Sequence, residues 1–366
     1  MSNDHRPTPV LEQPEETRRN LERWLSEQLD TQLRIPTLTV PEGTGMSNIT
    51  MVFDAFHGAN DAADTATSYV ARIEPQGEYL AFPEYDLDIQ CRVIEMLATH
   101  SDIPVPRIVA KELSGQVLGQ PFYIMAKTEG LIPPDLPPYH MDGWLTEQEP
   151  DTRRHLWLAG LDRLAQVNRL DISAAPISTM LNDCAIPKSL DEQLCYWENY
   201  YRWGYQRDGE FLPHDVAERA LAWLREHQPQ EQAKRLCWGD SRMANVIFTA
   251  DKTAVAALLD WEMVALGDPL QDLAWWVYMD ELFSHGLDFP PLDGFPNRQE
   301  SAQHWARQSG YSIEQLPYYL VFAGLRFALL LGRMSIGMNN QDSIDSHFNS
   351  CFEVKYLEKM LSEAAA

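Results

Sequence analysis

LCWGDSRMANVIFTADKTAVAALLDWEMVALGDPLQDLAWW, from Leu236 to Trp276, is the stretch that decides the fold. Val246 to Phe248 and Val255 to Leu259 are short apolar runs separated by the polar turn Thr249 to Thr253, the pattern of a β-hairpin. Asp240 and Asn245 stand just before the first run and Asp260 at the end of the second, so a hairpin brings all three to one end. Phosphoryl transfer from a nucleotide needs a carboxylate beside the attacking hydroxyl and oxygen ligands for the Mg²⁺ that bridges the phosphates. Asp240, Asn245 and Asp260 supply that set. Asp240 is expected to orient the hydroxyl and to take its proton late, because a carboxylate is a weak base and the transition state is loose. Asn245 and Asp260 are the expected metal ligands.

The surrounding segments extend the pattern. Gly267-Asp268-Pro269 followed by Asp272-Leu273-Ala274 reads as a helix start, with Asp268 as N-cap and Gln271 closing a capping box. Asp272 is expected to brace the preceding loop by hydrogen bonds, and Glu262 either to touch substrate or to serve as scaffold. Taken together, Trp238-Gly239-Asp240, Asn245, Asp260 and Gly267-Asp268-Pro269-x2-Asp272-Leu273-Ala274 resemble the signature of the aminoglycoside phosphotransferase and choline kinase-like family. That signature runs His-Gly-Asp-x4-Asn, a strand ending in Asp, then Gly-Asp-Pro-x2-Asp-Leu-Ala. The resemblance extends more weakly over about residues 35 to 340 and points toward the branch fused to acyl-CoA dehydrogenases. It implies an α+β, two-lobed protein-kinase-like fold: an antiparallel sheet plus helix in the first lobe, and a mainly helical second lobe carrying the catalytic hairpin. It also implies ATP or GTP as co-substrate in the cleft.

Working toward the N-terminus, residues 15 to 29 place Leu21, Trp24, Leu25 and Leu29 at helical spacing. Leu38 to Val40, Ile49 to Phe53 and Ser68 to Ile73 read as strands, Tyr85 to His100 as a helix, and Phe122 to Ala126 as a strand entering a hinge. Beyond Gly130 the proline-rich LIPPDLPPY gives way to helical patterns, which predicts lobes at 1–127 and 128–366. By the resemblance, Gly43, Gly45 and Ser47 would cover the nucleotide phosphates, and backbone groups around Met125 to Lys127 would meet the purine. Kinases carry a lysine on the third strand, paired with a helix glutamate, to grip the phosphates. Here no lysine precedes Lys111, Arg72 is the basic residue on that strand, Gln90 stands where the glutamate is expected, and Trp238 replaces the histidine. Arg can grip phosphate in a fork but is not a neutral exchange for Lys. A nucleotide- or ligand-binding kinase-fold protein with little transfer therefore stays open as the alternative reading.

Asp260 is followed within a few residues by the capped helix, which leaves no room for the long activation segment on which protein kinases seat peptides. A small hydroxylated molecule is the expected acceptor, held by helices of the second lobe. Tyr196, Trp197, Tyr200, Tyr201 and Trp203, together with Trp275, Trp276 and Tyr278, are candidates for its contacts or else core residues at helical spacing. The loop from Pro133 to Trp144 is a candidate lid. The branch resemblance leans toward a hydroxylated acyl compound, and a net charge of −25 toward a cationic aminosugar or amino alcohol.

That charge also disfavours nucleic acid and anionic membrane surfaces as partners. The five cysteines lack a CxxC pair, and the opening residues lack an apolar signal core, which together predict a cytoplasmic protein. Tyr318 to Met334, interrupted by Arg326 and Arg333, falls short of the roughly 20 apolar residues of a membrane span and reads as a buried helix. No HExxH, GxSxG or GxxxxGK[ST] pattern offers competing chemistry. The oligomeric state is left open.

Overall fold

The computed structural model describes residues 13–41, 47–57, 66–76, 80–209, 211–336 and 351–365. The chain opens with helix α1 (Pro14–Gln28), then strands β1 (Leu33–Arg34), β2 (Ile49–His57) and β3 (Ala66–Ile73), helix α2 (Leu87–His100), and strands β4 (Ile108–Glu112) and β5 (Phe122–Ala126). These strands form one antiparallel sheet in the order β1-β2-β3-β5-β4. Leu38 to Val40, expected as a strand, contributes only an isolated bridge from Thr39 to Val52, further along the edge of β2 that β1 pairs with.

The two-residue period of the strands sorts their side chains and thereby makes the cleft. Met51 and Phe53 of β2, Ala71 and Ile73 of β3, and Phe122 and Ile124 of β5 turn toward α1 and pack with Leu21, Trp24 and Leu25. Trp24 meets Phe122 edge-on at 4.7 Å. The alternate residues Thr50, Val52, Val70, Arg72, Tyr123 and Met125 face the other way and line a cleft of about 450 Å³. Helix α2, capped by the Asp86 side chain on the Ile89 amide, is apolar on two sides. Leu87 and Cys91 pack on Tyr123, while Val93, Ile94 and Leu97 join the core of the second lobe.

That lobe holds helices α3 (Pro150–Asn168), α4 (Ile177–Asp183), α5 (Leu190–Asp208) and α6 (His214–Glu226), followed by a segment of short strands and then α7 (Leu270–Leu282), α8 (Arg298–Ser309), α9 (Leu316–Ile336) and α10 (Phe352–Ala364). Within that segment, β7 (Val246–Phe248) and β8 (Val255–Leu258) form the expected hairpin. β6 (Arg235–Cys237) and β9 (Ala265–Gly267) pair outside it, with Leu236 opposite Leu266. Helix α7 is buried on nearly every side, as a helix apolar all round must be, and packs on α9. By length and composition Leu316–Ser335 could cross a membrane, yet it is mostly buried inside this lobe.

The capping box expected from Asp268 and Gln271 does not form. Asp268 Oδ1 accepts the Leu270 amide at 2.9 Å and Asp268 Oδ2 the Gln232 amide at 2.9 Å. The Gln271 amide group turns instead to the Cys237 sulfur, because the helix entry is buried under the β6–β9 pair and Gln271 lies inside it.

Candidate active site

Asp240 follows Gly239 in the loop between β6 and β7. Gly239 has φ 91°, and a Cβ there would lie 2.0 Å from the Met263 carbonyl oxygen, so no side chain fits. Asp272, reaching from the first turn of α7, holds this loop from below: its carboxylate accepts the Trp238 amide at 2.8 Å, the Gly239 amide at 2.9 Å and Asn168 Nδ2 at 2.9 Å. Trp305 Nε1 donates to Asn168 Oδ1 and fixes that amide in turn. Burial pushes the Asp272 carboxyl above its ordinary value, with the three donors pulling the other way.

The Asp240 carboxylate is a hub. Oδ1 accepts Trp275 Nε1 at 2.8 Å and Oδ2 accepts Asn245 Nδ2 at 2.7 Å, while Arg242 Nε lies 3.0 and 3.1 Å from the two oxygens. Arg242 also pairs with Asp135 of the proline-rich loop. Asn245 spends its Nδ2 on both the backbone and side chain of Asp240, which turns Oδ1 the other way. The Leu259 amide donates to the Asn245 carbonyl at 2.9 Å, so the hairpin ties Asn245 to the chain just before Asp260.

Asp260 has φ 58°, a left-handed conformation that Asp tolerates better than most residues. The Trp238 indole, fully buried, donates to the carbonyls of Leu259 and Asp260 at 2.8 and 3.2 Å and pins that turn. The tryptophan in the histidine position thus braces the strand end. Asp260 Oδ1 accepts Arg72 Nη2 at 3.1 Å, and Arg72 Nη1 donates to Thr50. Gln90 bonds the Tyr123 hydroxyl and does not reach Arg72. Burial works against the Arg72 charge, yet Asp260 beside it leaves the guanidinium above its ordinary value.

Arg72, Asn245 and Asp260 line the 450 Å³ cleft with Met125 and Lys127. The Ala126 and Lys127 amides are already donated to the Arg107 and Ser68 carbonyls. A purine would meet the carbonyls there or the chain from Thr128 to Gly130, which also lines the cleft. Gly43 and Gly45 lie outside the described residues. Ser47 donates to Glu262 Oε2 at 2.5 Å, joined by Asn48 Nδ2 at 2.9 Å. Burial first, and then the neighbouring Asp260 charge, push the Glu262 carboxyl up to about 8. In the proline-rich loop Tyr139 and His140 both bond Asp280, and Trp144 donates to the Ile132 carbonyl.

The donor set suits Mg²⁺, a hard cation that takes one or two protein carboxylates and completes its shell with phosphate oxygens and water. Asp260 and the outward Asn245 oxygen offer such ligands. Among the described residues no group of three or more His, Cys, Asp or Glu makes a self-sufficient metal cage. Of the aromatic candidates, Trp197, Tyr200, Tyr201, Trp275, Trp276 and Tyr278 are buried in the core. Tyr196 stays 37% exposed. The sequence reading passed over Arg242, Asn168 and Asp135. Arg242 carried a signal, a cation two positions after the candidate base.

A profile of the phosphotransferase enzyme family matches residues 60–311, well over half of the chain. Acyl-CoA dehydrogenase family member 10 of Mus musculus is 28% identical over 274 residues, 72% of this chain and 24% of that protein. Family member 11 of Homo sapiens is 25% identical over 272 residues, 72% and 32% respectively. The chain spans about a quarter to a third of the length of these curated relatives. A Ralstonia eutropha protein provisionally described as an aminoglycoside phosphotransferase superposes with a TM-score of 0.65 at 22% identity, covering 93% of this chain and 98% of that one. A thermostable mutant of aminoglycoside phosphotransferase APH(4)-Ia, in ternary complex with ADP and hygromycin B, gives 0.55 at 15%, covering 95% and 99%. These likenesses establish the two-lobed kinase-like fold.

Proposed function

The chain belongs to the phosphotransferase enzyme family, and we propose that it moves the γ-phosphoryl of ATP or GTP to a hydroxyl of a small molecule. The observation that carries this is the convergence of Asp240, Asn245 and Asp260 at one end of the β7–β8 hairpin, each held by its own hydrogen bonds. Asp240 orients the acceptor hydroxyl and takes its proton, its two oxygens aligned by Trp275, Asn245 and Arg242. Asn245 and Asp260 hold Mg²⁺, which when bound neutralises charge on the phosphate oxygens. Arg72 and Arg242, both lining the cleft, supply the cations that seat the phosphates where β3 carries no lysine. Five cysteines present as free thiols support a cytoplasmic setting.

One observation favours a second reading, a nucleotide binder with little transfer: Arg72 is engaged with Asp260 and, among the described residues, no helix carboxylate positions it. Calorimetry with ATP in the presence and absence of Mg²⁺, beside a turnover assay, separates the two. We expect Mg²⁺-dependent binding, weakened about tenfold or more in Arg72→Ala, the loss of one charge-assisted contact. Binding that ignores both Mg²⁺ and Arg72 would remove the phosphates from this end of the cleft, and binding without turnover would favour the second reading.

A further inference from the structure

Past Trp261 the chain leaves the first cleft, and Glu262 to Ala265 line a second pocket of about 270 Å³. Its other walls come from α5, α9 and the segments flanking α2 and α4, with Tyr196, Trp197, Ile186 and Tyr85 as its larger apolar surfaces. Arg326 of α9, only 3% exposed, lines it too.

Arg326 is a buried cation whose donors are not used up. Its guanidinium lies over Trp275 at 4.4 Å from the ring centroid, with Phe322 at 5.3 Å and Trp197 at 5.4 Å. Those rings ease the charge but accept no strong hydrogen bond from it. Nη2 donates to the Gly239 carbonyl at 2.9 Å, Nε has no partner, and among the described residues Arg326 forms no ion pair. Arg153, buried to a similar degree, instead has Nε, Nη1 and Nη2 each on a backbone carbonyl. Burial lowers Arg326 to about 10, so it stays protonated at neutral pH. Gln193, 4% exposed, lines the pocket as well, but its Nε2 lies against Gly267 and is sealed from the pocket. A buried cation without an ion pair at the wall of a pocket favours an anionic group on whatever occupies it.

The place of this cation matters. It touches Gly239, the residue before Asp240, and rests on Trp275, whose indole holds Asp240 Oδ1. Acidic groups at the pocket are either exposed at its rim, as Glu84 and Asp86 are, or engaged, as Glu262 is by Ser47 and Asn48.

We propose that this second pocket seats the phosphoryl acceptor, that Arg326 receives a carboxylate on it, and that the acceptor is therefore a small aliphatic hydroxycarboxylate. This rests on Asp240 being the catalytic carboxylate. The acid group sits at Arg326, the apolar body lies against Tyr196, Trp197 and Ile186, and the hydroxyl reaches Asp240 a few bonds away. At 270 Å³ the pocket is just under the range of drug-sized sites, which suits a short chain.

The test is calorimetry of the full chain with a series of short-chain hydroxycarboxylates, each beside its primary amide and the matching amino alcohol. The acid is expected to bind about tenfold or more tighter than the amide, a preference erased in Arg326→Gln and partly kept in Arg326→Lys. Amides or amino alcohols binding as well as the acids, no acid binding at all, or a preference that survives Arg326→Gln would each overturn the assignment. Should Arg326→Gln fail to fold, the comparison on the unsubstituted protein decides alone. Titration of Mg²⁺ and AMP-PNP into the same samples reads the nucleotide site separately, so a failure there counts against phosphoryl transfer and not against the carboxylate subsite.

Discussion

Asp240→Asn is expected to lower turnover by about 10²- to 10⁴-fold, the range for removing a positioned proton acceptor, while nucleotide affinity stays within a few-fold of the original. The substitution keeps the shape of the side chain but presents an amide NH₂ to one of its donors. Trp275 Nε1, Asn245 Nδ2 and Arg242 all point hydrogens at this carboxylate, so one of those bonds is lost. The local cost is about 1–3 kcal/mol, too small to unfold the second lobe, and thermal melting of the variant checks that. Asp240 does not line the nucleotide cleft, whereas Asn245 and Asp260 do, which is why binding and turnover should separate. Full activity in the folded variant would remove Asp240 from the chemistry.

The second large effect is on stability. Asp272→Ala strips the acceptor from the Trp238 and Gly239 amides and from Asn168 in a site with no solvent access. Two backbone donors and one side-chain donor are then buried without partners, and Arg326 loses a nearby carboxylate charge. A loss of about 3–5 kcal/mol is expected, the size seen when one member of a buried charged network is removed. Chemical denaturation measures it. Asp272→Asn retains one acceptor oxygen and should fall in between. Because Asp272 holds the loop and not the substrate, any protein that remains folded should show a lowered kcat with nucleotide affinity less affected. Unchanged stability in Asp272→Ala would mean that the loop is held by something else.

The readable parts of the sequence were those whose logic is local. The hairpin β7–β8 announces itself through two apolar runs and a polar turn, and its length alone carries Asp240, Asn245 and Asp260 to one end. The alternation in β2 and β3 likewise predicts two faces. What was hidden depends on long-range pairing. β6 and β9 are three residues each, too short for any alternation, and meet only because the intervening hairpin returns the chain. The placing of β5 between β3 and β4 has no local signature. The Asp268 capping expectation failed in detail because the burial of Gln271 was decided by β6, not by its own helix. Arg326 was visible as a charge interrupting an apolar helix, but its bearing on the acceptor required knowing that α9 passes beneath Gly239.

Phosphoryl transfer itself is tested most directly by mass spectrometry of a metabolite mixture incubated with the protein, Mg²⁺ and ATP or GTP, with Asp240→Asn run beside it. At least one hydroxylated small molecule should gain a single phosphoryl group with the unsubstituted protein and remain unchanged with the variant. Tight nucleotide binding without any phosphorylated product, or the same product from both proteins, would contradict it.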